Sequence, residues 1–267
     1  MLSVIVIAKN EENMIQPCLE SVKWADEIVV ALNDSTDNTE KISRKYTDKI
    51  IKVSGQDFAA LRNKAMREVK GDWVLHLDAD ERVLQPLREE ILQLMEVADK
   101  SAYAISRRNV IFGLEQRYSA FWPDWVIRLF KKDDFESWVG KVHEYGKFKG
   151  KLGYTKNSFL HLTHRDIDQI TLKSLNWSII DANLRLDSNH PKMSGWRFLR
   201  IFVTEIFNQG IKRRGFFAGT IGVMDSILQA FSMYITYVRL WQLQQVKPLT
   251  QVYTEIDRKL LENNFNY

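Results

Sequence analysis

The chain has 267 residues, with 38 Lys and Arg against 34 Asp and Glu, for a net charge of +4. Its 45% hydrophobic and 12% aromatic content supports a sizeable core and excludes a wholly disordered chain. So mild a charge excludes nucleic-acid binding through overall basicity, and the single cysteine, Cys18, excludes an internal disulfide framework and suits a reducing compartment.

The first residues, MLSVIVIAKNEE, form an apolar run stopped by Lys9, without the basic leader and cleavage site of a signal peptide. A first strand in a cytoplasmic protein is expected. Asn10 is placed to cap a following helix in which Met14, Ile15, Cys18, Leu19 and Val22 recur at helical spacing. The pairing repeats as EIVVAL before DNTEKISRKY, KIIKV before DFAALRNKAMREV, and DWVLHL before PLREEILQLMEVA. Alternation of this kind predicts an α/β fold: a mostly parallel sheet with right-handed crossovers and helices on both faces. Ligands bind outside the carboxyl ends of such strands. The polar loops AKNEE, NDSTDNT, GQDF and DADER fall there.

The last of these loops sets Asp78, Asp80 and Glu81 directly after a strand that should be buried. Two readings compete. The carboxylates either share a hard divalent cation whose open positions take phosphate oxygens, or they cap the helix starting near Gln85. A bare Asp-x-Asp favours caps. The surrounding turn NDSTDNTE, with Arg62 and Asn63 in LRNKA and the GDW lead-in, favours a metal-bound diphosphate.

In this order VIVIAKNEE, DSTDNT, ALRNKA and GDWVLHLDADE resemble the family 2 glycosyltransferases, which have a GT-A fold. The later WPDWVIRLFKK, GKVHE, FLHLTHR and RRGFFAGTIGVMDSILQAFSMYITYVRLW are similar to a narrower branch, the lipopolysaccharide-core β-glucosyltransferase-like enzymes. The resemblance implies a Rossmann-like GT-A domain over residues 1–160 and a helical, membrane-associating extension over 161–267. It implies an inverting hexosyltransferase that uses Mn2+ or Mg2+ and a nucleotide sugar, with UDP-sugar expected. The acceptor would be a hydroxyl of a glycan or lipid-linked molecule in cell-envelope polysaccharide or lipopolysaccharide synthesis. The competing readings are a polyprenyl-phosphate sugar synthase and a non-catalytic sugar-nucleotide-binding membrane scaffold.

Roles carry over residue by residue. The backbone at Ala8 and Lys9, with Glu11, would line base and ribose, and Arg62 would meet the base or diphosphate through its planar donor fork. Asp78 and Ala79 would sit by the ribose, Asp80 would be the direct metal ligand with Asp78 sharing the ion, and His143 would approach the metal or serve the structure only. Family members place an aspartate that holds uracil where this chain reads Leu32 and Asn33, so Asn33 is expected to meet a base edge. Glu144 is preferred as the base that deprotonates the acceptor, ahead of Asp124 in WPDW. His161 and His164 are expected on one face of a strand, as structural or acceptor-lining residues, and Arg107 with Arg108 as a solvated basic pair.

Beyond about residue 165 helices are predicted: DIDQITLKSLNWSIIDANLRL capped by Asp166 or Asp168, then GWRFLRIFVTEIFNQGI and GFFAGTIGVMDSILQAFSMYITYVRLW around Lys212, Arg213 and Arg214. Gly219, Gly222, Asp225 and Gln229 argue against a transmembrane span in the last. Interleaved aromatic and basic residues favour an interfacial helix pair on an anionic membrane, with a buried core helix as the alternative. The expected location is cytoplasmic, peripheral to the inner face of the plasma membrane. The tail PLTQVYTEIDRKLLENNFNY reads as a short amphipathic helix.

Overall fold

The structure, a computed structural model, describes residues 1–53, 58–116, 122–140, 144–263 and 265. Its elements follow the predicted alternation: β1 (Leu2–Ala8), α1 (Ile15–Val22), β2 (Glu27–Asn33), α2 (Thr39–Ser43), β3 (Ile50–Val53), α3 (Phe58–Glu68) and β4 (Trp73–Asp78). There follow β5 (Glu81–Arg82), α4 (Gln85–Val97), β6 (Ala102–Ile111), β7 (Leu114–Gln116), β8 (Asp124–Lys131), β9 (Phe135–Val139), β10 (Tyr145–Phe148) and β11 (Leu152–Leu162). Contacts group the chain into two units, Met1–Arg165 and Asp166–Tyr267. The first runs past residue 160 because β11 carries the sheet on to Leu162.

The continuous apolar run of β1 is explained by burial on both faces. Val4, Val6 and Ala8 face a core shared with Ile15, Cys18 and Leu19 of α1 and Leu87 and Ile91 of α4. Ile5 and Ile7 face Leu61, Ala65 and Met66 of α3 on the other side. The strand order is β3-β2-β1-β4-β8-β6-β11-β5, with β7 on β6. The first four strands are parallel; β8 enters antiparallel between β4 and β6, and β11 runs parallel to β6. The carboxyl ends of β1, β2 and β4 therefore open on one edge.

Two local expectations change. Asn10 does not cap α1; it sits at φ 54°, and its Oδ1 accepts the Thr36 N–H at 2.8 Å while its own N–H donates to Ser35 Oγ at 3.1 Å. An asparagine tolerates this left-handed backbone. Its side chain then ties the loop after β1 to the loop after β2, and the helix begins only at Ile15. DNTEKISRKY contributes only the five residues of α2.

Cys18 lies wholly buried in the first core, and burial raises its thiol pKa far above the ordinary value. It is expected to resist thiol reagents in the native protein and to react on denaturation; rapid native labelling would contradict this placement.

In the second unit, Asp166 caps α5 (Ile167–Asp187), its side chain accepting the Gln169 N–H at 2.7 Å. Then come α6 (Gly195–Ile206), a π-helical turn (Phe207–Lys212), a 3-10 turn (Gly215–Phe217), α7 (Gly219–Leu243) and α8 (Leu249–Glu262). Arg239 Nε of α7 donates to Ser178 Oγ of α5 at 2.7 Å, and Arg185 Nη1 of α5 to Tyr237 Oη of α7 at 2.9 Å. Among the described residues, α7 is the one helix long and apolar enough to cross a membrane by length and composition.

The turn between α6 and α7 is closed by glycines. A Cβ on Gly215 would lie 1.9 Å from Ser226 Oγ and 2.8 Å from the Gln209 carbonyl oxygen, so no rotamer of another residue fits. Gly215→Ala is expected to destabilise this unit by about 1–3 kcal/mol, read as an earlier thermal transition by circular dichroism. An unchanged transition would contradict the tight turn.

Candidate active site

The sheet edge gathers most of the residues singled out in the sequence. Ala79 N–H donates to the Ile7 carbonyl at 3.1 Å and Leu162 N–H to the Asp80 carbonyl at 2.9 Å, so the acidic turn is pinned between β1 and β11. Asp78 Oδ1 accepts from Arg62 Nη2 at 2.7 Å and Oδ2 from Arg128 Nη2 at 2.5 Å. Arg62 is buried, stacks over Trp138 with its Cζ 4.8 Å from the ring centroid, and donates through Nε to Glu144 Oε1 at 3.3 Å. Asn63, one residue on, exchanges two 2.8 Å hydrogen bonds with the Trp138 backbone and so fixes the ring under the guanidinium. The LRNKA motif thus builds one binding corner.

Glu81 closes the centre from below. It is fully buried, accepts the Asp78 N–H through Oε2 at 2.9 Å, and faces Arg107 at 3.8 Å and Arg128 at 3.9 Å. Burial raises its pKa, against the pull of Arg128. Burial would also raise that of Asp78, but Arg128 and then Arg62 outweigh it and hold that carboxyl well below the ordinary range. So dense a set of buried charges is tolerable only because each has an opposite partner. Asp78, expected to share a metal ion, instead gives both oxygens to guanidiniums. Each oxygen takes one such bond, so Asp78 holds Arg62 and Arg128 in place and keeps acceptor capacity on both oxygens.

Asp80 has a different neighbour. Its Oδ2 lies 3.4 Å from His161 Nε2. His161 Nδ1 meets Asn109 Oδ1 at 2.6 Å, and Asn109 Nδ2 donates to Asp124 Oδ2 at 3.1 Å. A carboxylate only accepts, so the Asn109 amide must turn its oxygen to His161 and Nδ1 must carry the proton. In the neutral ring Nε2 then directs a lone pair towards Asp80. Two acceptors facing each other, with the far ring nitrogen held by an amide oxygen, suit a shared divalent cation. With the ring neutral, Asp80 and His161 would offer such an ion two ligands; no group of three or more His, Cys, Asp or Glu that could hold a metal is found among the described residues, so its other ligands would come from diphosphate or water.

The remaining expectations fall as follows. Glu11 lies within this field: burial raises its pKa, Asp80 adds to the rise, and Arg165, at 3.2 Å, opposes it. Ala8 is buried and Lys9 exposed, so neither side chain points to chemistry beyond the backbone. Asn33, at the end of β2, is 1% exposed, and neither its Oδ1 nor its Nδ2 has a hydrogen-bond partner. Asp124 Oδ2 accepts from Arg107 Nε at 2.9 Å as well as from Asn109. His143 lies outside the described residues. His161 and His164 do not share a strand face: β11 ends at Leu162, and His164 follows at φ 47°. Three groups were missed from sequence: Arg128, Asn109 and the pairing of His161 with Asp80. An arginine inside the apolar run WVIRLF was the one available signal, since a buried charge needs a partner.

An α/β sheet of this strand order that carries an Asp-x-Asp turn and a buried arginine at its carboxyl edge is that of a GT-A glycosyltransferase unit. The chain belongs to glycosyl transferase family 2, whose family description matches residues 3–153. It is 27% identical to an uncharacterized glycosyltransferase of Rickettsia typhi, over 91% of this chain and 87% of the relative. It is 24% identical to the lipopolysaccharide core biosynthesis glycosyltransferase LpsC of Rhizobium meliloti, over 92% of this chain and 94% of LpsC. Among solved structures it is similar to S. aureus TarS 1–349 in complex with UDP-GlcNAc, at 12% identity and a TM-score of 0.46 over 92% and 93% of the two chains. A second likeness, at 14% identity and a TM-score of 0.46 over 72% and 80% of the chains, is to glucosyl-3-phosphoglycerate synthase from Mycobacterium tuberculosis with Mg2+ and UDP.

Proposed function

We propose that this glycosyltransferase is inverting and metal-dependent, moving a sugar from a UDP-sugar to a hydroxyl of a glycan or lipid-linked acceptor in envelope polysaccharide or lipopolysaccharide synthesis. The observation that carries the reading is the Asp80–His161 pair at 3.4 Å, set beside the Arg62–Asp78–Arg128 cluster. Asp80 and His161 would hold Mn2+ or Mg2+, which when bound supplies positive charge against the departing diphosphate. Arg62 Nη1 and Arg128 Nε are buried donors without an acceptor, and they favour an anionic group at this corner. The unpartnered Asn33 amide would offer its N–H groups and its carbonyl to a base edge, and the Ala8–Lys9 backbone and Glu11 would line base and ribose.

Glu144 takes the acceptor proton as the hydroxyl oxygen bonds the anomeric carbon and the bond to the diphosphate oxygen breaks. Arg62 Nε, at 3.3 Å from Oε1, holds that carboxylate in place. The proposed setting is the inner face of the plasma membrane, and the relative LpsC is named for lipopolysaccharide core biosynthesis. A panel of nucleotide sugars, assayed for hydrolysis and thermal stabilisation with and without manganese, tests the reading. One UDP-sugar should stand out, and only with the metal. A flat panel, or equal effects after chelation, would overturn it.

A further inference from the structure

No residue of α6 is buried, and its Trp196, Leu199 and Val203, continued by Phe207 at the start of the π-helical turn, recur at i, i+3, i+7 and i+11 as one exposed stripe. Trp196 is 71% exposed and Phe217, beyond the turn, 73%; apolar surface gathered in one stripe and rimmed by polar residues marks an interaction surface. The opposite side of α6 is spoken for, since Phe198 and Ile201 pack on the Ala182, Met193 and Leu240 core. Between residues 195 and 224 the charges are Arg197, Arg200, Lys212, Arg213 and Arg214 against Glu205 alone. Exposed aromatic rings interleaved with cations match the headgroup boundary of an anionic bilayer, where rings sit among acyl ends and basic groups among phosphates. A second copy of this chain would bring the same cations against one another.

We infer that the outward face of the α6–α7 hairpin is a docking surface for an anionic lipid bilayer, lying in its headgroup boundary without crossing it. The turn is built to present this surface rigidly. Gly210 leaves room for the Phe216 ring and Gly222 for the Gly215 carbonyl, and Arg214 takes φ 60°, so the three consecutive cations and Phe217 project from a packed corner. Crossing is opposed by the other face of α7. Asp225 is 1% exposed, Ser226 beside it and Thr236 about three turns further on are buried as well, and Arg239 and Tyr237 are bonded to α5. A span would carry these groups into hydrocarbon and strip them of their partners.

The inference deepens the proposed function and rests on it only for why an acceptor would be reached at a membrane. Its test reads binding without turnover, so either can fail alone. Full-length protein is floated with phosphatidylglycerol-containing or pure phosphatidylcholine vesicles at low and high salt, alongside a Lys212→Gln, Arg213→Gln, Arg214→Gln variant checked for fold by circular dichroism. Wild type is expected to float with the anionic vesicles at low salt. The triple variant should partition about a hundredfold more weakly there, a difference that shrinks at high salt. Vesicles with brominated acyl chains should quench a fluorescence component that is missing in Trp196→Phe. Wild type left in the soluble fraction with anionic vesicles, equal binding to neutral ones, or quenching unaltered in Trp196→Phe would each overturn the inference. Resistance to carbonate extraction would overturn it in favour of a span.

Discussion

Asp80→Ala is expected to lower turnover by about a hundred- to a thousandfold and to abolish the dependence of UDP binding on manganese, with the fold intact. The side chain lies at the ligand edge, a quarter exposed, while the turn itself is held by backbone hydrogen bonds from Ala79 to Ile7 and from Leu162 to Asp80. Alanine keeps all of these, so the thermal transition should move by no more than a few degrees. The measurements are steady-state turnover with the preferred donor and calorimetry of UDP with and without Mn2+. Unchanged turnover would remove Asp80 from the site; a collapsed fold would make its role structural.

Glu144→Gln is expected to lower kcat by about a hundred- to ten-thousandfold while leaving the donor KM within about twofold. The amide keeps an oxygen for Arg62 Nε, and Arg62 remains held by Asp78 at 2.7 Å, so the diphosphate corner survives the change. What is lost is the capacity to take a proton. Asp124→Asn is expected to cost about tenfold or less. Asp124 Oδ2 already accepts from both Arg107 and Asn109, so that oxygen is engaged within the protein rather than turned to an acceptor hydroxyl. Should Asp124→Asn remove turnover while Glu144→Gln is mild, the two assignments must be exchanged.

The first half of the fold was legible because each strand and helix states its period locally. The run LSVIVIA is apolar at every position but Ser3 since both its faces are covered, and α1 and α3 show their buried sides at helical spacing. The acidic turn was equally plain, because carboxylates at the end of an apolar strand demand a partner. The partners themselves were not legible. Arg128 reaches Asp78 from β8, fifty positions along the chain, and Asn109 joins His161 to Asp124 only because β6 lies between β8 and β11. No spacing within FLHLTHR could have revealed this, and the three-residue interval between His161 and His164 in fact separates strand faces. Asn10 misled for another reason. An asparagine before a helix resembles a cap, yet here its left-handed backbone serves the neighbouring loop.

The central claim is that Asp80 and His161 together hold a divalent ion that carries the donor's diphosphate. Pulsed electron paramagnetic resonance of Mn2+ bound with UDP tests it most directly, because it reads the ligands of the ion rather than the rate of a reaction. The account predicts a phosphorus coupling from UDP and a nitrogen coupling from an imidazole, the latter lost in His161→Gln with the phosphorus coupling retained. Mn2+ bound without phosphorus coupling, or an imidazole coupling that persists in His161→Gln, would contradict it.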